Sequence, residues 1–476
     1  MLIAILGGCA AGGDYHAPVI SPPKTWHTTL KDGMNISPAD TIRLADWWNT
    51  LNDPLLSRFI QTAVSGNLDL KQAHARLREA RARREVSESG RFPTLAVQTG
   101  ANRSRSDRGS GGARTIEAFS AGFDADWELD IFGGKRRAVE AAEAGVDAAQ
   151  EDLRDVLVSL LAETALNYVE VRNFQARLAV ANATLATLSE TWQIMRRRRE
   201  AGLTTQLDED QAKLNLEQTR AGIPALQTGL KQAKNRLAAL LGQHPGTLID
   251  LEVVAAIPTP SAEVAAGVPA DMLRRRPDIR RAERQLAAAT AQTGVAMAAR
   301  YPIFSLIGTI GLQTLSAKNL LQPGAGLSTF SGNATWTLFD AGRIRQTIEI
   351  QNALQEQALI HYESAVLNAL RDTENALVAF VEEQNRRQGL NEAIQSAQSA
   401  AGIAGNQYTA GLIDFQAVLD TRRSLLSLQD QLIQSEAAIT SNWVRLYKAL
   451  GGGWETILPD QPLSSGKNNG QKAPQS

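Results

Sequence analysis

The segment from Asp69 to Leu95, DLKQAHARLREARARREVSESGRFPTL, returns in altered form from Asp278 to Phe304 as DIRRAERQLAAATAQTGVAMAARYPIF. Asp69 and Asp278 are 209 positions apart. The same offset separates Arg91 from Arg300, Pro93 from Pro302, Trp127 from Trp336, Gly202 from Gly411, and Gly242 from Gly451. One offset shared by six landmarks marks a tandem duplication, with residues 53–242 matching 262–451. The chain is therefore one structural unit used twice, and a reading of either copy constrains the other.

Each copy reads as helix, strand, strand, long helix, turn and returning helix. The first copy opens with an expected helix from Pro54 to Gly90, rich in Ala, Arg, Glu and Leu, all good helix formers. Arg91-Phe92-Pro93 ends it, because the residue before a proline is pushed out of the α region. Strands are expected at 94–105 and 116–131, separated by the polar, glycine-rich loop 104–114, and again at 303–316 and 328–339.

The second strand carries the clearest local pattern. Phe119, Ala121, Phe123, Ala125, Trp127 and Leu129 alternate with Ser120, Gly122, Asp124, Asp126, Glu128 and Asp130. Alternation with period two gives one apolar face and one wet, acidic face. In the second copy Phe330, Gly332, Ala334, Trp336 and Leu338 alternate with Ser331, Asn333, Thr335 and Thr337. A half-buried strand of a soluble sheet would alternate in the same way, but the chain beyond each strand pair is helical, with no further strands to build such a sheet.

From Gly134 to Ala201 no proline interrupts a stretch of Ala, Glu, Leu and Arg. A helix of that length would measure about 100 Å. Its counterpart runs from Gly342 to Ala410, and Ala-Gly-Leu turns each rod back, at 201–203 and 410–412. Glycine adopts the left-handed C-terminal cap cheaply. The returning helices carry coiled-coil spacing: Leu226, Leu230, Ala233, Leu237 and Leu240 in one, and Leu425, Leu428, Leu432, Ser435 and Ile439 in the other. Pro224 should kink the first of them. Residues 10–52 read as an extended N-terminal segment, while 243–268 and 452–476, rich in Pro, Gly and polar residues, read as a connector and a tail outside the rods.

The composition narrows the class. Of 476 residues, 49 are basic and 50 acidic, a net charge of −1 that does not mark a nucleic-acid binder. No run approaches the roughly 18 apolar residues of a spanning helix, so any membrane crossing must be made by β-strands. Four strands are too few to close a membrane barrel. An open edge in lipid would strand backbone donors and acceptors at several kcal/mol each, so further copies of the chain must complete the sheet. His16, His27, His74, His244 and His361 are scattered without ligand spacing, and no phosphate-cradling glycine motif occurs. No metal, cofactor or catalytic constellation is expected, and the chain does not read as an enzyme. Cys9, the sole cysteine, follows Leu6-Gly7-Gly8 and resembles a bacterial lipobox. On that reading residues 1–9 are a leader ending in a lipidated Cys9, and Ala10 favours the outer membrane. The other reading is a small buried core cysteine.

The segment Leu273-Arg274-Arg275-Arg276-Pro277-Asp278-Ile279, with Ala282-Glu283 and Tyr301-Pro302 after it, is similar to the signature of outer-membrane efflux lipoproteins of the TolC/OprM/NodT type. So are Trp47-Trp48, Asp53-Pro54-Leu55, the stretch from Trp127 to Gly133 and its partner from Trp336 to Gly342. The resemblance covers essentially the whole mature chain. It implies an α+β membrane protein: a homotrimer whose 12-stranded β-barrel, four strands per chain, continues into a long periplasmic α-helical coiled-coil tunnel. It also implies a lipid-anchored place in the outer membrane of a Gram-negative bacterium, a periplasmic membrane-fusion adaptor and an inner-membrane transporter of the resistance-nodulation-division (RND) type. Drugs or other small molecules would pass through passively. The exit duct of a metal-efflux or type I protein-secretion system is the nearest rival. A poreless coiled-coil lipoprotein would lack the paired alternating strands, and an envelope enzyme would need a polar cluster that is not seen.

Several residues are candidates for particular roles. Trp127 and Trp336 read as an aromatic girdle at the membrane boundary or as packed core tryptophans. Asp124, Asp126, Glu128 and Asp130 read as lumen rings favouring cations or as a simply solvated wall. Lys135, Arg136 and Arg137 begin the long helix, where the dipole disfavours cations, so lipid headgroups or solvent should hold them. The tips at Gly202, Leu203, Gly411 and Leu412, with Arg196 to Arg199 beside them, are candidate adaptor contacts. Asp420 and Arg423, three apart and so on one helical face, are candidates for a periplasmic gate, with Asp208 and Asp210 near the first tip. The resemblance places gate acids and their basic partners on this part of the last helix. Ordinary surface ion pairs, each worth about 0–1 kcal/mol, are the alternative.

Overall fold

The computed structural model describes residues 11–28, 44–107, 113–260, 267 and 269–458, so Cys9 lies outside the described residues. The first copy contains α1 (Pro54–Gly66), α2 (Leu68–Ser89), β1 (Thr94–Asp107), β2 (Ala113–Leu129), α3 (Gly134–Glu200) and α4 (Gln206–Leu240). The second contains α5 (Pro269–Arg275), α6 (Pro277–Ala298), β3 (Ile303–Thr314), β4 (Gly326–Thr335), α7 (Arg343–Thr409) and α8 (Phe415–Ala449). Each copy thus repeats the same order of elements, and α3 and α7 are both 67 residues long.

The opening helix expected from Pro54 to Gly90 is two helices. Asn67 separates them: its N–H donates to Ala63 O, and its side-chain oxygen accepts from the Leu70 N–H at 2.9 Å. Its carboxamide also donates to Leu240 O at 3.0 Å. Beside this break α1 and the end of α4 cross on glycines. A β-carbon on Gly242, where φ is +69°, would lie 2.4 Å from Gly66 O. The second copy breaks between α5 and α6 at Arg276, which donates to Ala449 O at 2.9 Å. Pro224 does not end α4, which runs through it as one helix. Asp53 caps α1 at its N-terminus, accepting from Leu55 and Leu56, as Pro at the first helical position invites.

The described residues form two compact units. One holds the sheet and comprises residues 74–152, 278–365 and the N-terminal segment up to Ile20. Its helices pack on small apolar residues such as Ala141, Ala144, Ala282 and Ala291 and are laced by Arg281–Asp152 at 2.7 Å and Arg280–Glu151 at 3.0 Å. The other unit comprises residues 21–73, 153–277 and those from Val366 onward. Its core is aromatic: Trp47 meets Trp443 at 5.7 Å between ring centroids, and Trp443 meets Tyr447 at 4.3 Å. Along α4 and α8 the coiled-coil positions are buried or half-buried throughout, with Ala233, Leu237, Ser435 and Ile439 fully inside.

The sheet is antiparallel in the order β1-β2-β3-β4. The first hairpin is longer than the sequence suggests, and β4 stops at Thr335 instead of reaching 339. The cause is the partner strand. Thr335 pairs with Ile303, the first residue of β3, and Pro302 before it has no N–H to continue the ladder.

Candidate functional site

The register sorts the sheet into two chemically distinct faces. Val97 pairs with Phe123, Phe123 with Ile310, and Gly308 with Phe330, so directly opposed residues build one apolar face across all four strands. Phe123, Ile310 and Phe330 are 51, 65 and 79% exposed, an outlay of bare apolar surface far beyond a scattered few. The other face pairs Ala96 with Asp124, Asp124 with Thr309, Glu128 with Ser305, and Ser305 with Asn333. Among the described residues neither β1 nor β4 has an outer neighbour, so both edges carry open ladders.

Asp124, Asp126 and Glu128 lie on the polar face, but Asp130 does not belong with them. β2 ends at Leu129, and the Asp130 carboxylate accepts the N–H groups of Lys135 at 2.9 Å and Arg136 at 2.8 Å. It therefore satisfies the open donors at the start of α3. Asp340 does the same for α7, accepting from Gly342 and Ile344. The basic cluster at the start of α3 has partners within the protein, although Lys135 and Arg136 remain partly exposed. Lys135 pairs with Glu128 at 3.1 Å and Arg136 with Asp130 at 3.4 Å. Arg137 is buried, pairs with Asp14 and Glu140, and donates to the carbonyls of Ala11 and Gly12. The Ala11 N–H in turn donates to Phe132 O, tying the N-terminal segment to the junction of β2 and α3.

Trp127 and Trp336 are partly exposed, not core residues. Trp127 donates its indole N–H to Arg91 O at 2.9 Å, and Trp336 donates to Arg300 O at 3.1 Å. Each tryptophan thus pins the carbonyl just before the Phe-Pro or Tyr-Pro that starts a strand.

At the far ends of α3 and α7 the turns are built alike. Gly202 and Gly411 have φ of +73° and +72°, and both turns close by bonds from three consecutive N–H groups back onto the last helical turn. Leu203 and Leu412 are exposed. Beneath them Met195, Ala212, Ala404, Phe415, Val418 and Leu419 form a small buried core. Of the four arginines before the first turn, Arg196 pairs with Glu200 at 3.1 Å, Arg199 pairs with Glu209, and Arg198 lies over the Tyr408 ring.

The gate candidates divide. Asp208 closes a capping box with Thr205 at the start of α4 and also accepts from Thr204. Burial pushes its carboxyl up, but the hydrogen bonds from Thr204 and Thr205 outweigh this and hold it below the usual range. Asp210 accepts from Gln206 one turn back. Asp208 is therefore committed to starting its own helix. Arg423 reaches Asp420 at 3.3 Å, both half exposed, and its other terminal nitrogen donates to Asn215 Oδ1 on α4 at 2.7 Å. Asn215 was not among the sequence candidates. It sits 13 residues after Gly202, the kind of position that only the facing helix makes meaningful.

Among the described residues no group of three or more His, Cys, Asp or Glu side chains stands ready for a metal ion. Two of the signature arginines are structural: Arg275 pairs with Glu455 at 3.2 Å, and Arg276 donates to the Ala449 carbonyl at the end of α8.

Comparison with known proteins agrees with this architecture. The chain is 30% identical to the toluene efflux pump outer membrane protein TtgF of Pseudomonas putida over 472 residues, 98% of each chain. It is also 30% identical to the cation efflux system protein CusC of Escherichia coli over 457 residues, 94% of this chain and 97% of that one. The solved structure of the outer-membrane channel OprN superposes with a TM-score of 0.88 at 34% identity, covering 94% of this chain and all of that one. The sequence model of the outer membrane efflux proteins matches residues 59–243 and again 268–452. With both of its copies matched, the chain belongs to the outer membrane efflux protein family, a family of channels and not of enzymes.

Proposed function

We propose that three copies of this chain form the exit duct of a tripartite efflux pump, carrying small molecules from a periplasmic adaptor and an inner-membrane RND-type transporter across the outer membrane. The observation that carries this reading is the sheet: apolar on one face, polar on the other, and unpaired at both edges. Closure by three chains supplies partners for every edge and gives twelve strands facing lipid on one side and water on the other. Asp124, Asp126 and Glu128 then line the conduit. The turns at Gly202, Leu203, Gly411 and Leu412 meet the adaptor, and Asp420 and Arg423 hold the periplasmic mouth shut. Trp127 and Trp336 lie at the membrane boundary. Lipidation of Cys9 is part of the same reading.

The relatives include both a toluene and a cation efflux component, so membership of the family does not by itself set the cargo. Purified protein in planar bilayers tests the reading. Discrete channels, with cross-linking that stops at three chains, are expected. A monodisperse folded monomer without conductance would refute it. Deletion of the partner inner-membrane transporter, scored for drug and for metal-cation sensitivity, separates drug efflux from the metal-efflux alternative.

A further inference from the structure

Between α3, α4 and α8 lies an open-sided cavity of about 500 Å³, and of its lining the duct reading uses only Arg423 with its partner Asn215. That volume suits a small organic ligand. Its chemistry is uneven. At one end Arg177 and Asp430 form a two-pronged ion pair, at 2.7 and 3.1 Å, and Gln434 adds a third bond to Asp430, so this end is electrically closed. Leu188, Leu226 and Leu426, one from each helix, give the lining its apolar surface. At the other end two neighbouring guanidiniums, Arg422 and Arg423, enter the lining with no carboxylate of their own among the lining residues.

Arg423 is partly occupied, by Asn215 and by a half-exposed Asp420. Arg422 is not. Its one hydrogen bond among the described residues is a 3.5 Å donation to Thr191, at the limit of such a bond. A guanidinium carries five donors in a rigid fork, shaped to take an oxyanion on two of them. Three arginines against one aspartate leave the lining with a formal charge of +2.

We infer that this cavity is a binding site for an amphipathic organic anion, its sulfonate or carboxylate on Arg422 and its hydrocarbon body against Leu226 and Leu426. A bare inorganic anion would leave the apolar wall unused. A neutral or cationic amphiphile would leave Arg422 unpaired or repelled.

The test is calorimetry on the assembled protein in lipid nanodiscs with 1-naphthalenesulfonate, 1-naphthalenemethanol, 1-naphthylmethylammonium and inorganic sulfate. The sulfonate is expected to bind once per chain, about tenfold more tightly than the other three, the margin one charge-assisted hydrogen bond supplies. Arg422→Gln should weaken it about tenfold, Arg422→Lys by less, and Leu226→Trp should block it by filling the cavity without touching charge. Thermal scans confirm that each variant is assembled. Wild-type affinity in assembled Arg422→Gln overturns the inference, as does naphthalenemethanol or sulfate binding within about twofold of the sulfonate. A protein that conducts normally yet fails to bind the sulfonate would reject the site and leave the duct reading intact.

Discussion

Asn67 and Arg276 stand 209 residues apart and make the same bond: Asn67 donates to Leu240 O at 3.0 Å, and Arg276 donates to Ala449 O at 2.9 Å. The acceptors share the offset of the donors. A short amide and a long guanidinium have converged on one task, tying the start of a copy's second helix to the end of its last. Asn67 also caps α2 through Leu70. Asn67→Ala should therefore cost about 1–3 kcal/mol, read as an earlier thermal or denaturant midpoint. A midpoint unchanged from wild type would show that the bond carries no weight.

The glycines of this joint and of the turns should respond differently to one methyl group. Gly242→Ala meets both a left-handed backbone and the Gly66 carbonyl, and should cost more than about 3 kcal/mol or prevent assembly. Gly202 has the same backbone sign but no atom within 4 Å of its missing β-carbon. Gly202→Ala should cost only about 1 kcal/mol. Equal losses in the two variants would contradict this ordering.

Arg423 holds two partners where Asp420 holds one helical face. If this cluster keeps the mouth of the duct closed, Arg423→Ala should raise bilayer conductance and antibiotic entry more than Asp420→Ala does, and Asn215→Ala should imitate it. The half-exposed ion pair is worth about 0–1 kcal/mol, whereas the bond to Asn215 is a charge-assisted one worth about 1.5–3 kcal/mol. Conductance that rises with Asp420→Ala alone would reverse that ranking.

Glu374 gathers the N–H groups of His27 and Thr28 and the Thr28 hydroxyl, the last at 2.6 Å. Burial pushes its carboxyl up, and these hydrogen bonds outweigh burial and leave it below the usual glutamate range. A depressed carboxyl stabilises the folded contact above the ordinary glutamate pKa, and the gain is lost as pH falls through the lower folded value. The protection factors of the His27 and Thr28 amides should thus stay high at neutral pH and fall only in acid below the usual range. Glu374→Gln should lower them throughout. Protection insensitive to both acid and the substitution would remove Glu374 from that role.

The alternation from Phe119 to Leu129, the proline-free rods and the repeat of 209 positions were all legible in the sequence, because each is a local period or a self-comparison. The break at Asn67 was not, since an asparagine in a helix-rich stretch acquires its meaning from Leu240, 173 residues away. Asp130 continued the alternation on paper. Only the register, in which Leu129 pairs with Phe304 near the start of β3, shows that the strand has run out and the carboxylate is free to start a helix. Lys135, Arg136 and Arg137 looked unattended for the same reason: their acids lie in the N-terminal segment, at the end of β2 and one turn along α3. Spacing along one helix brought Asp420 and Arg423 together, but Asn215 needed a second helix.

The two turns at Gly202 and Gly411 share every backbone bond but not their side chains. The carbonyls that close the first belong to Arg197, Arg198 and Arg199, and those that close the second to Asn406, Gln407 and Tyr408. Joined three times over, such a chain would present six seats of one shape and two alternating characters, basic and uncharged. A docking ring of six identical subunits would then bind in two inequivalent populations, and a ring of three could select one seat and ignore the other. Duplication would give such an assembly a sixfold outline at these turns, and divergence of three consecutive side chains would return it to threefold chemistry.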